Sequence, residues 1–522
     1  VDNVKRGLPA LLALFALFLY AQMFVRLPGL SGDASIYWSF ARSMWEQGPF
    51  YFGTVGPKHG ATSPLWAFLL SLVYLVKPHF YQGFQGLSIV LMGGTAVSTG
   101  LLVRHLTKST TFGVLAPCFL LMSIPLHRYT SAGYDTGLIT WTFVEAVRAA
   151  VMLNENPTRR RWIHWAIPMA ALPLARPEGV LFFPVIALWV GYFVGLKQGK
   201  LTSFLLTGFI AGLPSLIFYL WMYSHTGHIV PTSVQGRDLV HSANDTYWPP
   251  VALHALVYRN FGGLLAPDGL HQAAFAFTWM GCVGLGVWQL IKTHRTVALL
   301  FGLLPTSLFM MMLWRNPSFY MVRYSLPVLT MGVTFGAAGI YFLSQRIAAL
   351  PQAKRMPVGA AAVIIGIVLC AAPVNVIYSR AHTPREATIP DVLDIEGTKI
   401  ANQFVTEDSV AIVYEIQTQY WLKAQVIAGS GIVGGEIFPY LATKDIQKLK
   451  DIGVTHVFLS NAYDYRSIFD DTVMEHLWNV NDEVEVGGTV EYQGITLKKR
   501  AARGFQIMKP HWIAIYEVVS GI

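Results

Sequence analysis

Carboxylates are scarce in the first 379 residues of this chain, and scarcity makes each one informative. There are ten: Asp2, Asp33, Glu46, Asp135, Glu145, Glu155, Glu178, Asp238, Asp245 and Asp268. Many lie beside apolar runs, where an ionisable side chain is costly unless it is paired or put to use. Glu46 follows Arg42 by four residues, and Glu145 precedes Arg148 by three, spacings at which helical side chains pair. Asp33 stands just after the first apolar run and before a helical pattern. A carboxylate there can act as a general base toward a substrate approaching from outside, or simply cap the helix that follows. Asp135, in Gly133-Tyr-Asp-Thr-Gly137, opens another apolar run; it either serves a substrate or is an acid favoured by the helix dipole. Arg176-Pro-Glu-Gly179 is a charged turn between two apolar runs. Its Arg176 and Glu178 either pair with each other, or Arg176 faces a phosphate.

A second set of residues is cationic: Lys58, Arg128, Arg176, Arg237, Arg315 and Arg323, with His59 beside them. Arginine suits bidentate phosphate contacts. Snorkelling toward the membrane interface is the plainer reading of each one alone. As a set they fit an anionic lipid headgroup or a lipid-phosphate donor. His59, His127 and His228 lack the HxH or HExxH spacing of a metal site. No cofactor is indicated, and a divalent cation is left open.

These residues have to be positioned by a membrane fold. Of 522 residues, 53% are hydrophobic and only 13% are charged, whereas soluble domains carry about 25% charged residues. Mean hydropathy is +0.45. Apolar runs of spanning length fall near 8–27, 84–105, 110–127, 133–153, 162–176, 180–196, 202–223, 272–291, 296–314, 325–343 and 357–378. The run 64–77 is shorter. Basic clusters at Lys5/Arg6, Arg104/Lys108, Arg159–Arg161, Lys197/Lys200, Lys292/Arg295 and Arg346/Lys354/Arg355 all fall on one side if 64–77 does not span. Positive-inside orientation then predicts eleven spans, a cytoplasmic N-terminus and an outer juxtamembrane helix over 64–77. It also places outside the loop 28–83, the loop 224–271 and the tail. Residues 34–47 read as an amphipathic helix in the interface, with Asp33 at or near its N-cap. The first run follows Lys5 and Arg6 without a small-residue cleavage site and reads as a retained helix.

Residues 1–379 carry 25 Lys and Arg against 10 Asp and Glu, and residues 380–522 carry 13 against 19. The positive excess thus sits in short loops of the membrane half. No basic stripe with interleaved aromatics occurs in the tail, which argues against a nucleic-acid partner. Cys118, Cys282 and Cys370 stand far apart in apolar stretches and read as small buried hydrophobes. The tail has a different texture. Ser409–Tyr414 and Val454–Ser460 read as strands. Thr443–Gly453 reads as a helix capped by Thr443 and stopped by Gly453, and 484–498 as a hairpin or two. Strand, helix and strand make a small α/β unit.

Taken in order, these motifs resemble the GT-C glycosyltransferases. Gly32-Asp-Ala-Ser-Ile-Tyr-Trp-Ser-Phe-Ala-Arg42 and Gly60-Ala-Thr-Ser-Pro-Leu-Trp66 are similar to that family's first extracytoplasmic loop. Gly133–Gly137 and Ala175–Gly179 resemble two of its turns, and Gly227-His-Ile-Val-Pro-Thr232 and Val322-Arg-Tyr-Ser-Leu-Pro327 its later loops. Gly434-Gly-Glu-Ile-Phe-Pro-Tyr-Leu441 is similar to a segment in relatives of mycobacterial arabinofuranosyltransferases. The resemblance implies an α-helical polytopic membrane protein, with a GT-C catalytic domain over 1–379 and an extracytoplasmic α/β domain over 380–522 that helps hold the acceptor. It implies inverting transfer of a sugar, D-arabinofuranose foremost, from a polyprenyl-phosphate donor to an envelope glycan or a glycoprotein such as a pilin, at the outer face of a bacterial plasma membrane. Asp33 would be the base. Arg176, Arg323, Arg128 and Lys58 would hold the phosphate, and His59, Asp135, Glu178, His228 and Tyr324 would contact substrate. Many members have two acids in the first loop; here Ala34 follows Asp33, which leaves one. A flippase for lipid-linked sugars and a non-catalytic glycan-binding scaffold are the rival readings.

Overall fold

The computed structural model describes residues 32–52, 57–76, 80–121, 123, 126, 130, 133–233, 270–314, 321–349, 397–413, 422–428, 437–460, 472–506 and 510–521. The chain divides into two compact units. One comprises 1–27, 84–216 and 246–385; the other comprises 28–83, 217–245 and 386–522. The runs expected at 8–27 and 357–378, and Cys370, lie outside the described residues.

The first unit is helical. Its helices are α3 (Phe80–Thr107), α4 (Thr110–Leu121), α5 (Thr136–Glu155), α6 (Arg159–Ala175), α7 (Pro177–Val190, continued by a π-turn Gly191–Leu196), α8 (Leu201–Thr226), α9 (Leu270–Thr293), α10 (Arg295–Trp314) and α11 (Met321–Ala348). α3 and α8 run on into the second unit. Each expected run that falls wholly or partly among the described residues contains a helix, although the one expected at 110–127 is helical only over Thr110–Leu121. Among the described residues, five helical stretches are long and apolar enough to cross a membrane: Gly83–Thr107, Thr136–Glu155, Pro177–Leu196, Leu201–Thr226 and Tyr324–Ile347. α5 is buried over most of its length, and α8 is mostly exposed. α5 is therefore a central helix, while α8 presents Leu205, Leu206, Phe209 and Ile210 outward, as a lipid-facing helix does. α9 and α11 pack backbone to backbone, because Gly286 and Gly339 leave no room for a Cβ against Phe335 and Cys282.

The second unit holds α1 (Gly32–Glu46), α2 (Pro64–Val76) and a C-terminal sheet. α1 begins where the sequence suggests, but it is not an amphipathic surface helix. Ala34, Ile36 to Ala41 and Ser43 are all buried, and among the described side chains of α1 the exposed ones are Trp45 and Glu46. Aromatic contacts explain the difference: Trp38 meets Tyr74 edge-on, and Phe40 packs on Phe50 and Phe52. α2 has 13 residues, about 20 Å at 1.5 Å each, too short to span a bilayer. Trp45 donates to the carbonyl of Ser71, and Tyr74 donates to Glu46, so the two helices are tied at their ends. The Arg42–Glu46 pair forms at 3.5 Å.

The C-terminal sheet comprises β1 (Val410–Val413), β2 (Gln425–Ala428), β3 (His456–Ser460), β4 (Thr489–Tyr492), β5 (Ile495–Gln506) and β6 (Pro510–Ser520), in the order β2-β1-β3-β6-β5-β4. β2, β1 and β3 are parallel, while β6, β5 and β4 are antiparallel. β3 and β1 fall where the sequence suggests. The helix expected at Thr443–Gly453 is shorter, Ile446–Ile452, and its cap is Asp445, which accepts from Gln447 N at 3.0 Å. Thr443 instead ends the preceding helix, Phe438–Thr443. Gly453 does terminate the helix, in the left-handed conformation at φ 75°. The hairpin expected in 484–498 is β4–β5, turned at Gln493 and Gly494, both with positive φ.

Candidate active site

In the helical unit, two charged turns converge on one guanidinium. The first is Gly133-Tyr-Asp135. Gly133 takes φ 81°, and Asp135 becomes the N-cap residue of α5, its carbonyl accepting from Leu138 and Ile139. The second is Arg176. Pro177 follows it, and a residue before proline is pushed to extended backbone; Arg176 sits at φ −170°, ψ 161°. Pro177 then starts α7 at N1, where its missing N–H costs nothing. Gly179 completes the turn. A Cβ there would lie 1.8 Å from the carbonyl oxygen of Leu172, so only glycine lets α7 begin against the backbone of α6.

The resulting cluster is closed to solvent. Arg176 is 1% exposed, Asp135 0% and Glu178 2%. Arg176 Nη1 donates to Asp135 Oδ1, and Nε donates to both oxygens of Glu178 at 3.1 and 3.2 Å. The guanidinium carbon also lies 5.0 Å from the ring centroid of Tyr324, on α11, within cation–π range. The pairing of Arg176 with Glu178 is thus one of the two readings open in the sequence, and Asp135 joins it from 41 residues away. Among the described residues, no group of three His, Cys, Asp or Glu is placed to hold a metal ion.

In the second unit, Lys58 and His59 are fixed by the chain on either side. Lys58 N donates to the carbonyl of Phe50, and Tyr51 bridges to Pro57. His59 is 1% exposed. Its Nδ1 donates to the main-chain carbonyl of His228 at 2.9 Å, a direction set because a carbonyl only accepts. Its own carbonyl accepts from Thr232 N and Oγ1. The rings of Phe218 and Tyr219 flank the imidazole at 6.1 and 6.0 Å. Burial lowers the His59 pKa to about 4, so the ring is neutral, and lowers that of Lys58 to about 8. Ser63 caps α2, accepting from Trp66 N, and Tyr37 of α1 shares a 2.6 Å hydrogen bond with Thr62.

The structure therefore gathers Asp135, Arg176, Glu178 and Tyr324 in one cluster, and Lys58 and His59 with the His228 backbone in another. Asp33 is the second residue of α1 and Arg323 the third of α11; their side chains, and all of Arg128 and His127, lie outside the described residues. Sequence reasoning missed Phe218 and Tyr219, which look like ordinary residues of an apolar run. It also missed Ser98 and His164, which join the Glu145–Arg148 pair at 2.6 and 2.7 Å from Glu145.

The fold these elements make has counterparts among solved structures. It is similar to the crystal structure of ArnT from Cupriavidus metallidurans bound to undecaprenyl phosphate, at a TM-score of 0.60 and 11% identity over 98% of each chain. It is similar too to the archaeal oligosaccharyltransferase AglB from Archaeoglobus fulgidus, in complex with an inhibitory peptide and a dolichol phosphate. There the TM-score is 0.57 at 11% identity, covering 90% of this chain and 71% of that one. The arabinofuranosyltransferase AftD from Mycobacteria matches at a TM-score of 0.53 and 13% identity; the match covers 99% of this chain and 40% of AftD. No protein-family model matches the chain, and no curated protein sequence does. Likeness at these identities defines the fold and leaves the substrate open.

Proposed function

We propose that this chain is an inverting glycosyltransferase that moves a sugar from a polyprenyl-phosphate donor to a hydroxyl of a cell-envelope glycan. The observation that carries the reading is the fold, which over nearly the whole chain is that of a protein solved with undecaprenyl phosphate bound. In this reading the chain spans a bacterial plasma membrane eleven times. The first loop and the 380–522 domain face outward, and that domain helps hold the acceptor. Asp33 takes the acceptor proton as the new glycosidic bond forms. The bond from the anomeric carbon to the phosphate oxygen breaks, and the lipid phosphate leaves with the electron pair. Lys58, Arg323 and Arg128 oppose its charge, an electrostatic contribution commonly worth about 3–4 kcal/mol per group. Arg176, already engaged by two carboxylates, acts by fixing Asp135, Glu178 and Tyr324 beside the sugar. D-arabinofuranose is the sugar we favour, supported by the AftD-like fold and the 434–441 segment.

The test is transfer by the purified chain from a panel of prenyl-phosphate sugars, with product linkage and anomeric configuration read by NMR. Asp33→Asn is expected to abolish transfer while leaving donor binding intact. Undiminished transfer by that variant would remove Asp33 from the reaction. Donor movement across the bilayer without transfer would favour the flippase instead, and transfer to a peptide hydroxyl would make the acceptor a protein.

A further inference from the structure

Two unfavourable features fall on the two residues that hold Lys58 in place. The first is backbone strain. Lys58 N donates to the carbonyl of Phe50 at 2.8 Å, and Phe50 sits at φ 57°. A bulky residue adopts that left-handed conformation only where its surroundings hold it there, and such strain gathers at ligand clamps. The Phe50 ring is held by those of Phe40, Phe218 and Trp221, with centroids at 6.3, 5.1 and 6.1 Å. The second feature belongs to His59, the next residue along. It is buried, and among the described residues its Nε2 has no hydrogen-bond partner. A buried polar atom left so is destabilising. What the imidazole gains in exchange is one bond through its other nitrogen.

That nitrogen closes a clasp between segments 169 residues apart, Nδ1 donating to the carbonyl of His228 at 2.9 Å. In return Thr232 donates to the carbonyl of His59, through N at 2.8 Å and through Oγ1 at 3.2 Å. Three hydrogen bonds thus tie the residue after Lys58 to 228–232. Phe218 and Tyr219 flank the ring. A phenylalanine would pack between them as well as an imidazole does, but only a donor makes the bond to His228. We infer that His59 is a positioning residue for Lys58: its clasp to His228 and Thr232 holds the loop that keeps the Lys58 ammonium withdrawn from water, in place for the phosphate of the donor. The last clause rests on the function proposed above; the clasp does not. Burial is what lowers the Lys58 pKa to about 8 from the ordinary 10.5. A cation so withdrawn acts on an anion with less screening than an exposed one. Opening the clasp admits water to the ammonium and returns its titration toward the ordinary value.

The experiment titrates Lys58 in the full chain in detergent, by acetic anhydride labelling across a pH series with the labelled residue identified by mass spectrometry. Only the neutral amine reacts, so the midpoint reports Lys58 itself and not His59, His228 or Tyr219 around it, and no donor is needed. Wild type is expected to titrate at about 8. His59→Phe keeps a ring but loses the donor, and its midpoint should rise toward 10.5. His59→Asn returns an N–H donor and should bring the midpoint back near that of wild type. A folded His59→Phe chain with an unchanged midpoint overturns the inference, as does a His59→Asn chain that behaves like His59→Phe. Should His59→Phe fail to fold, Thr232→Val decides. It removes one of the three bonds, and the Lys58 amide proton held by Phe50 should exchange faster than in wild type; equal exchange overturns the clasp. Binding of an uncleavable phosphodiester analogue at pH 7 separates this inference from the function its last clause rests on. A raised midpoint with binding weakened about tenfold, the size of one hydrogen bond to a charged group, supports both. A raised midpoint with unchanged binding leaves the clasp standing and removes Lys58 from the phosphate site.

Discussion

Replacing Gly179 by alanine adds one methyl group where the structure has no space. The new Cβ would lie 1.8 Å from the carbonyl oxygen of Leu172 and 2.5 Å from its carbonyl carbon. Cβ atoms do not approach heavy atoms closer than 3.0 Å, so the start of α7 must move from α6 by about 1.2 Å. Both obstructing atoms are backbone, and no rotamer change relieves them. Glu178 is the neighbouring residue, and Arg176 lies three positions before the substitution. Their hydrogen bonds are already 3.1 and 3.2 Å long, so a displacement of that size breaks at least one of them. Overpacking of this kind costs about 1–3 kcal/mol of stability. A misplacement near 1 Å in a reaction centre costs about 100-fold in rate. Gly179→Ala is therefore expected to stay folded with a lowered Tm and to transfer sugar about 100-fold more slowly. Gly208→Ala, whose Cβ would meet nothing nearer than Phe204 at 4.0 Å, serves as the control and should match wild type. The assay pairs initial transfer rates with thermal unfolding in the same detergent. A Gly179→Ala chain with wild-type rate and Tm would refute the claim that this turn sets the geometry of the cluster.

Two further expectations concern pH. Burial lowers the Lys58 pKa to about 8, so its charge is present below that pH and lost above it. Binding of an uncleavable phosphodiester donor analogue, which does not itself titrate there, should weaken about tenfold between pH 8 and 9.5, and Lys58→Arg should remove the dependence; a flat wild-type profile would take Lys58 out of the phosphate site. His59 has its pKa lowered to about 4 by burial, below the ordinary value of 6.5. The unfolded chain then binds the proton more readily than the folded one, so stability is full above pH 6.5 and falls as pH drops toward 4. The change amounts to about 3 kcal/mol at most, and chemical denaturation of wild type and His59→Gln across pH 4–7 should differ by that slope.

Five of the apolar runs were legible as spans, α5 and α11 among them, because a buried helix has to be apolar along a bilayer-length stretch. Arg42–Glu46 and Glu145–Arg148 were legible for the same local reason, being fixed by helical spacing alone. What spacing could not carry was any partnership between distant segments. Asp135 and Arg176 are 41 residues apart, and His59 and His228 are 169 apart. In each case the sequence offered residue types with two readings, and packing supplied a partner that spacing could not predict. α1 shows the limit from the other side. Its polar and apolar residues alternate as on a surface helix, yet Ser39 and Ser43 are buried, and Ser43 returns its hydroxyl to the carbonyl of Ser39 at 2.8 Å. A serine that satisfies itself against its own helix costs little to bury, so polarity in the sequence was no guide to exposure.

α5 carries two arginine-centred clusters, and comparing them shows why one is a candidate site and the other a clamp. Glu145 accepts from Arg148 Nε at 2.9 Å and from Ser98 Oγ at 2.6 Å, and His164 Nε2 lies 2.7 Å from it. One acid meets one arginine there, and the cluster joins α3, α5 and α6 with its charges settled by side chains. Asp135, Arg176 and Glu178 bring two acids to one arginine at the starts of α5 and α7. Side-chain pairs hold helices together wherever they fall along a span. Convergent helix N-termini exist only at the ends of spans, and they impose a fixed field that does not relax when charge moves. The transfer we propose would pass a proton and a leaving phosphate at the edge of a membrane and calls for that second kind of arrangement, which is why the functional reading belongs to the cluster of Asp135, Arg176 and Glu178 and not to that of Glu145 and Arg148.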